Sequence, residues 1–145
     1  MRGLRRIARL TPVERRTLWR TLLLLPRVEL SLRLRGYERT RGRFGGDPPA
    51  PPPAQDVDAL VAASAWAVGS TATRLPLIPA ACLARSVTLW ALLRRQGIDS
   101  EIVIAVRPGD GVPEAHAWVE RGGVPLNESP AVVATYARLD RGNSA

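Results

Sequence analysis

The chain has 145 residues, 46% of them apolar, which is room for one modest core with appendages. Its single cysteine, Cys82, excludes an internal disulfide and with it the stapled scaffold of a small secreted protein. The net charge of +8 sits at one end: residues 1–46 hold thirteen arginines against three glutamates, residues 47–145 hold eight arginines against ten acids, and lysine is absent.

The chain opens with a positive stretch, Met1-Arg2-Gly3-Leu4-Arg5-Arg6, but no small-residue cleavage site follows an unbroken apolar run, so no signal peptide is expected. The most apolar run, Leu22 to Leu25, is bracketed by Arg20 and Arg27 and falls far short of the roughly 20 residues a membrane span needs. A cytoplasmic protein is expected, with its lone thiol in a reducing compartment.

Residues 11–25 predict a helix. Thr11 can cap it, Pro12 suits its first position and Glu14 completes a capping box. Pro26 should end or kink it. Beyond Pro26 the apolar residues alternate, Val28, Leu30, Leu32 and Leu34, as in a strand. Residues 47–54 are a Pro-rich linker whose composition favours polyproline II, a spacer of roughly 25 Å at about 3.1 Å per residue.

After the linker, residues 56–70 predict a helix with Val57, Leu60, Val61, Ser64 and Val68 on one side. A loop with Pro76 and Pro79 leads to a second helix over 82–96, ended by Arg94, Arg95 and the stop residue Gly97. The period then changes to three strands, 101–107, 115–120 and 124–128. The order reads as α+β, with helices on one side of a small antiparallel sheet. The chain divides by composition into a basic segment over 1–46, the linker over 47–54 and a domain over 55–145.

Two residues stand out chemically. Cys82 opens a helix, where the positive end of the dipole and free backbone N–H groups favour thiolate over thiol, with Arg85 one turn along. On its own this is weak, because an unpaired cysteine is more often a buried packing residue. His116 is the only histidine, on a strand face shared with Trp118 and Glu120. One Cys at a helix start and one His on a following strand together match the arrangement of thiol catalysis.

A third group should orient the imidazole, and hairpin register decides which. A three-residue loop of Arg121-Gly122-Gly123 places Glu128 opposite His116. Loops of two residues place Asn127 or Ser129 there, depending on which two. The three-residue loop favours Glu128, with Asn127 the runner-up. One Cys and one His make no closed zinc site, and no phosphate-cradling glycine loop is present, so neither metal nor cofactor is expected.

The residues Cys82-Leu83-Ala84-Arg85-Ser86, Leu92-Leu93-Arg94-Arg95-Gln96-Gly97-Ile98 and Ala115-His116-Ala117-Trp118-Val119-Glu120 resemble the leader peptidases, or B proteins, of lasso-peptide biosynthesis. That family belongs to the transglutaminase-like superfamily. The resemblance covers residues 55 to about 135, and the basic segment is also similar to the family's. It implies a transglutaminase-like cysteine protease fold, with residues 28–34 as a second helix and a basic helical N-terminal segment. It implies a Cys-His-acid triad of Cys82, His116 and Glu128 that removes the leader from a ribosomally made precursor. The family usually has Asp at the third position, and Asn127 is the alternative because Asn serves there in papain-like enzymes.

Residues 1–54 are too short and too basic for the leader-binding module that some family members carry. The resemblance therefore implies the split form, with the precursor peptide, a separate leader-recognition protein and the ATP-dependent lasso cyclase as partners. The Arg-rich segment suits docking to such a partner or peripheral contact with an anionic membrane. It has too few interleaved aromatics for nucleic acid. The competing reading is a non-catalytic module that keeps the same shape for peptide or partner binding.

Overall fold

The computed structural model describes residues 9–74 and 81–139. The positive N-terminal start and the loop prolines Pro76 and Pro79 lie outside the described residues. Helix α1 (Pro12–Arg35) is followed by α2 (Tyr37–Gly45), α3 (Ala54–Arg74) and α4 (Cys82–Arg95). The rest is β1 (Glu101–Arg107), β2 (Glu114–Arg121), β3 (Val124–Pro125), the single turn α5 (Pro130–Val133) and β4 (Ala137–Arg138). The four strands form one antiparallel sheet in the order β3-β2-β1-β4.

Helix α1 begins as its sequence dictates. Thr11 accepts from the Glu14 N–H and the Glu14 carboxylate accepts from the Thr11 N–H at 2.8 Å. It does not stop at Pro26, where the sequence predicts an end or a kink, but continues as helix to Arg35. A proline inside a helix costs about 3 kcal/mol. Leu24, Leu25 and Val28 flank it, all fully buried against the other helices, and each such side chain contributes about 1.5–3 kcal/mol. Burial on both sides of Pro26 therefore outweighs its cost. The alternation over residues 28–34 is neither strand nor separate helix: Leu30 and Leu34 are exposed, and Val28 faces the core.

Helix α4 is the centre of the molecule. Residues from Ser86 to Leu93 are all buried, because α1, α2 and α3 cover one side and β1 and β2 the other. A helix apolar on one face only would not be enclosed in this way. It ends in a Schellman motif, with the Gly97 N–H donating to Arg94 O and the Ile98 N–H to Leu93 O. Gly97 has φ 73°, and a Cβ there would lie 2.5 Å from the Ala50 carbonyl oxygen. The Pro-rich stretch is thus laid against the end of α4.

The division at residue 47 is one of composition and charge, and packing runs across it. Leu24, Leu25, Val28 and Phe44 belong to the same hydrophobic cluster as Val87, Leu89 and Leu93. Ser31 and Thr40 hydroxyls bond at 2.8 Å to tie α1 to α2. Arg94 on α4 donates to the carbonyls of Gly45 and Gly46.

The sheet has two differently covered faces. Ile102 and Val119 join the helical core, whereas Val103, Ala105 and Trp118 pack under Val133 and Tyr136 of the C-terminal segment. Among the described residues no helix is long and apolar enough to cross a membrane.

Candidate active site

Cys82 is the first residue of α4, unpaired and half-buried. The N-cap residue is Ala81, which has no side-chain acceptor for the first N–H groups of the helix. Those donors are oriented along the axis at its positive end. His116 lies on β2, opposite Ala105 of β1.

The structure brings the sequence candidates together. Cys82, Arg85, His116, Asn127 and Glu128 line one pocket of about 130 Å³, walled on its apolar side by Val68 of α3 and Leu126. Within it, Nε2 of His116 and Oε2 of Glu128 are 2.7 Å apart, with both side chains largely buried. The second carboxylate oxygen accepts from the Ser129 backbone N–H at 2.9 Å. The hydrogen bond to His116 holds the Glu128 carboxyl below its ordinary value of 4.5. The Ser129 N–H and the positive charge of Arg85 act in the same direction, against the opposing effect of burial.

Glu128 arrives at His116 by a route other than the one the hairpin count predicts. The turn is the two-residue Gly122-Gly123, with Arg121 paired to Val124 and Glu120 to Pro125. Both glycines have positive φ, 56° and 79°, as a tight two-residue hairpin turn requires. That register, continued, would set Ser129 opposite His116. Instead β3 ends at Pro125, where the sequence predicts a strand to 128. The Asn127 side-chain oxygen then takes the Val119 N–H at 2.8 Å in place of a backbone carbonyl. The chain leaves the ladder there, and Glu128 swings over the imidazole.

Asn127 therefore holds the frame. Its amide nitrogen also lies 3.4 Å from Ser86 Oγ, and Ser86 donates to the Ala117 carbonyl at 3.0 Å. Ser86 is one turn along α4 from Cys82, and Ala117 follows His116. This small network fixes the cysteine helix against the histidine strand. The helix buries two hydroxyls, and Thr88 bonds back to Ala84 within it, so only Ser86, one turn after the cysteine, reaches across to the strand.

Behind His116 lies an aromatic layer that the sequence alone does not reveal. The Tyr136 ring is centred 5.3 Å from His116 and the Trp118 ring 5.9 Å. Trp118 donates to Glu120, whose fully buried carboxylate also takes Arg138 at 2.7 Å. Arg107 stacks on Tyr136 at 4.7 Å. Pairing of β4 with β1 carries Tyr136 and Arg138 to this face, and two residues are too few to announce a strand.

The family profile described as the transglutaminase-like superfamily matches residues 22–141. The chain belongs to that superfamily. It is an α+β protein with the helices and small antiparallel sheet of a transglutaminase-like fold, and the superfamily includes cysteine peptidases. The match begins inside α1, in keeping with packing that runs across the linker. Neither the curated proteins nor the solved structures give a significant match. Among the described residues of this transglutaminase-like chain, no group of three or more His, Cys, Asp and Glu is placed to hold a metal ion.

Proposed function

We propose that this transglutaminase-like protein is a cysteine peptidase that removes the leader from a ribosomally made lasso-peptide precursor. The reading rests on the 2.7 Å contact between His116 and Glu128 inside the pocket that Cys82 also lines. The finer assignment rests on the resemblance of the Cys82 helix and the His116 strand to the lasso B proteins.

Glu128 engages Nε2 of His116, which leaves Nδ1 as the basic nitrogen. Cys82 Sγ attacks the scissile carbonyl carbon and its proton passes to His116. The oxyanion that forms is held by backbone N–H groups at the start of α4. His116 then gives the proton to the departing amine, and a thioester joins the leader to Cys82. Water, deprotonated by His116, hydrolyses the thioester and frees the enzyme. Glu128 fixes the ring orientation and stabilises the imidazolium in both halves.

The test is incubation of the purified protein with the precursor peptide, with and without the leader-recognition protein, followed by mass spectrometry. Separate leader and core masses are expected, formed faster when the recognition protein is present. An uncut precursor that nonetheless co-purifies with the protein would favour the non-catalytic module.

A further inference from the structure

A second concavity lies away from the cysteine, where α1, α2 and α4 meet. It is a groove of about 310 Å³ lined by Arg20, Leu23, Leu24, Arg27, Phe44, Leu92 and Arg95. Leu24, Phe44 and Leu92 form a recessed apolar floor, each at most 9% exposed. Three guanidinium groups stand at the rim, and among the described residues no carboxylate lines the groove. Among the described residues none of Arg20, Arg27 and Arg95 has an ion pair. Partial burial, then the charges of Arg16 and Arg95, hold Arg20 below its ordinary value. Arg20 is thus repelled by Arg16 and by Arg95 across the groove, and an anion placed between the rim arginines relieves that repulsion.

The floor and the rim ask for different things. Arginine presents a planar fork of donors matched to carboxylate oxygens. The floor asks for an apolar side chain that can reach into a recess. From the groove an apolar surface continues outward through Leu23 to Trp19, which are 62% and 63% exposed. The chain's own N-terminal residues are no match for it, since Arg2, Arg5 and Arg6 carry the same sign. A flat lipid surface would meet the arginines and the Trp19 edge but leave the floor of the recess empty. Leu92 and Arg95 belong to the C-terminal half of α4, whose first residue is Cys82. Arg95 lies thirteen steps along the helix from Cys82, about 20 Å at 1.5 Å per residue.

We infer that this groove is a docking site for an acidic peptide segment of a partner, with carboxylates set on Arg20, Arg27 and Arg95 and an apolar side chain seated over Leu24, Phe44 and Leu92. The site is separate from the pocket of Cys82, and binding there does not depend on whether the protein hydrolyses anything.

The experiment uses the full chain and a fluorescein-labelled peptide of leucines alternating with glutamates, read by anisotropy. Parallel arms use the same peptide with Gln for Glu, inorganic phosphate as competitor, and phosphatidylglycerol vesicles. The glutamate peptide should bind at least tenfold tighter than its glutamine counterpart, and should weaken as salt is raised. Arg20→Gln on α1 and Arg95→Gln on α4 should each weaken it about tenfold, whereas Arg121→Gln, on the distant hairpin, should not. Melting curves check each fold, and because the two groove variants lie on different helices either one alone carries the test. Equal binding of both peptides overturns the proposal, as does a glutamate peptide indifferent to Arg20 and Arg95. Capture by the vesicles without binding of the peptide overturns it in favour of a lipid surface.

Discussion

Nε2 of His116 sits 2.7 Å from a carboxylate oxygen of Glu128, while the neighbouring Asn127 turns its amide to the Val119 N–H and to Ser86. The two adjacent polar residues therefore have different work, one on the imidazole and one on the frame. Glu128→Ala should lower precursor cleavage by about 10²–10⁴-fold, as loss of the orienting acid does in comparable triads. Glu128→Asp should keep part of the activity. Asn127→Ala should act chiefly on stability, by about 1–3 kcal/mol, because it strands the Val119 N–H. Rates and urea midpoints measured on the three variants separate these effects. A crippled Asn127→Ala enzyme beside a fully active Glu128→Ala would reverse the two roles.

Glu128 also predicts an acid dependence. Its carboxyl is held below 4.5 in the folded protein, chiefly by the hydrogen bond to His116. Between the folded and unfolded values the unfolded chain binds more protons, so folding gains stability as pH rises through that window. The contribution is complete above about pH 4.5 and is lost as pH falls through the lowered folded value. Unfolding by urea, measured from neutral pH downward, should show wild type and Glu128→Gln converging as the solution is acidified below that point. A difference that stays constant across the range would show that the carboxylate is not stabilised by its partners.

Leu25 tests whether the basic N-terminal region is part of the folded core. It is 1% exposed and packs with the α4 side chains across the Pro-rich stretch. Leu25→Ala should cost about 2–5 kcal/mol. Leu30→Ala, on the exposed side of the same helix, should fall within about 0.5 kcal/mol of wild type. Equal, small effects on the melting temperature would mean that α1 is an appendage.

The sequence carried the site further than it carried the frame around it. Cys82 at a helix start and His116 on a strand are local patterns, and local patterns survive folding. The helix from 82 and the strands from 101 and 115 were legible for the same reason, as was the capping box of Thr11 and Glu14. Helix α1 was not, because Pro26 is a strong local signal overruled by the burial of Leu24, Leu25 and Val28. The Pro-rich stretch reads as a spacer, yet the Ala50 carbonyl lies against Gly97, a contact between residues far apart in the chain. Glu128 was reached through a loop one residue too long. The side chain of Asn127 ends the ladder early, and no count of hairpin residues includes a side chain acting as backbone. Tyr136 and Arg138 were invisible because a two-residue strand has no period.

Mass spectrometry of the Cys82→Ala protein against the precursor tests the central claim most directly. In the proposed mechanism, attack by Cys82 would make a thioester between leader and enzyme, which no other residue lining the pocket could replace. The variant should fold and bind the precursor as wild type does, with leader release abolished, and acid-quenched wild-type reactions should contain enzyme heavier by the mass of the leader. Leader released by Cys82→Ala at the wild-type rate would contradict the account.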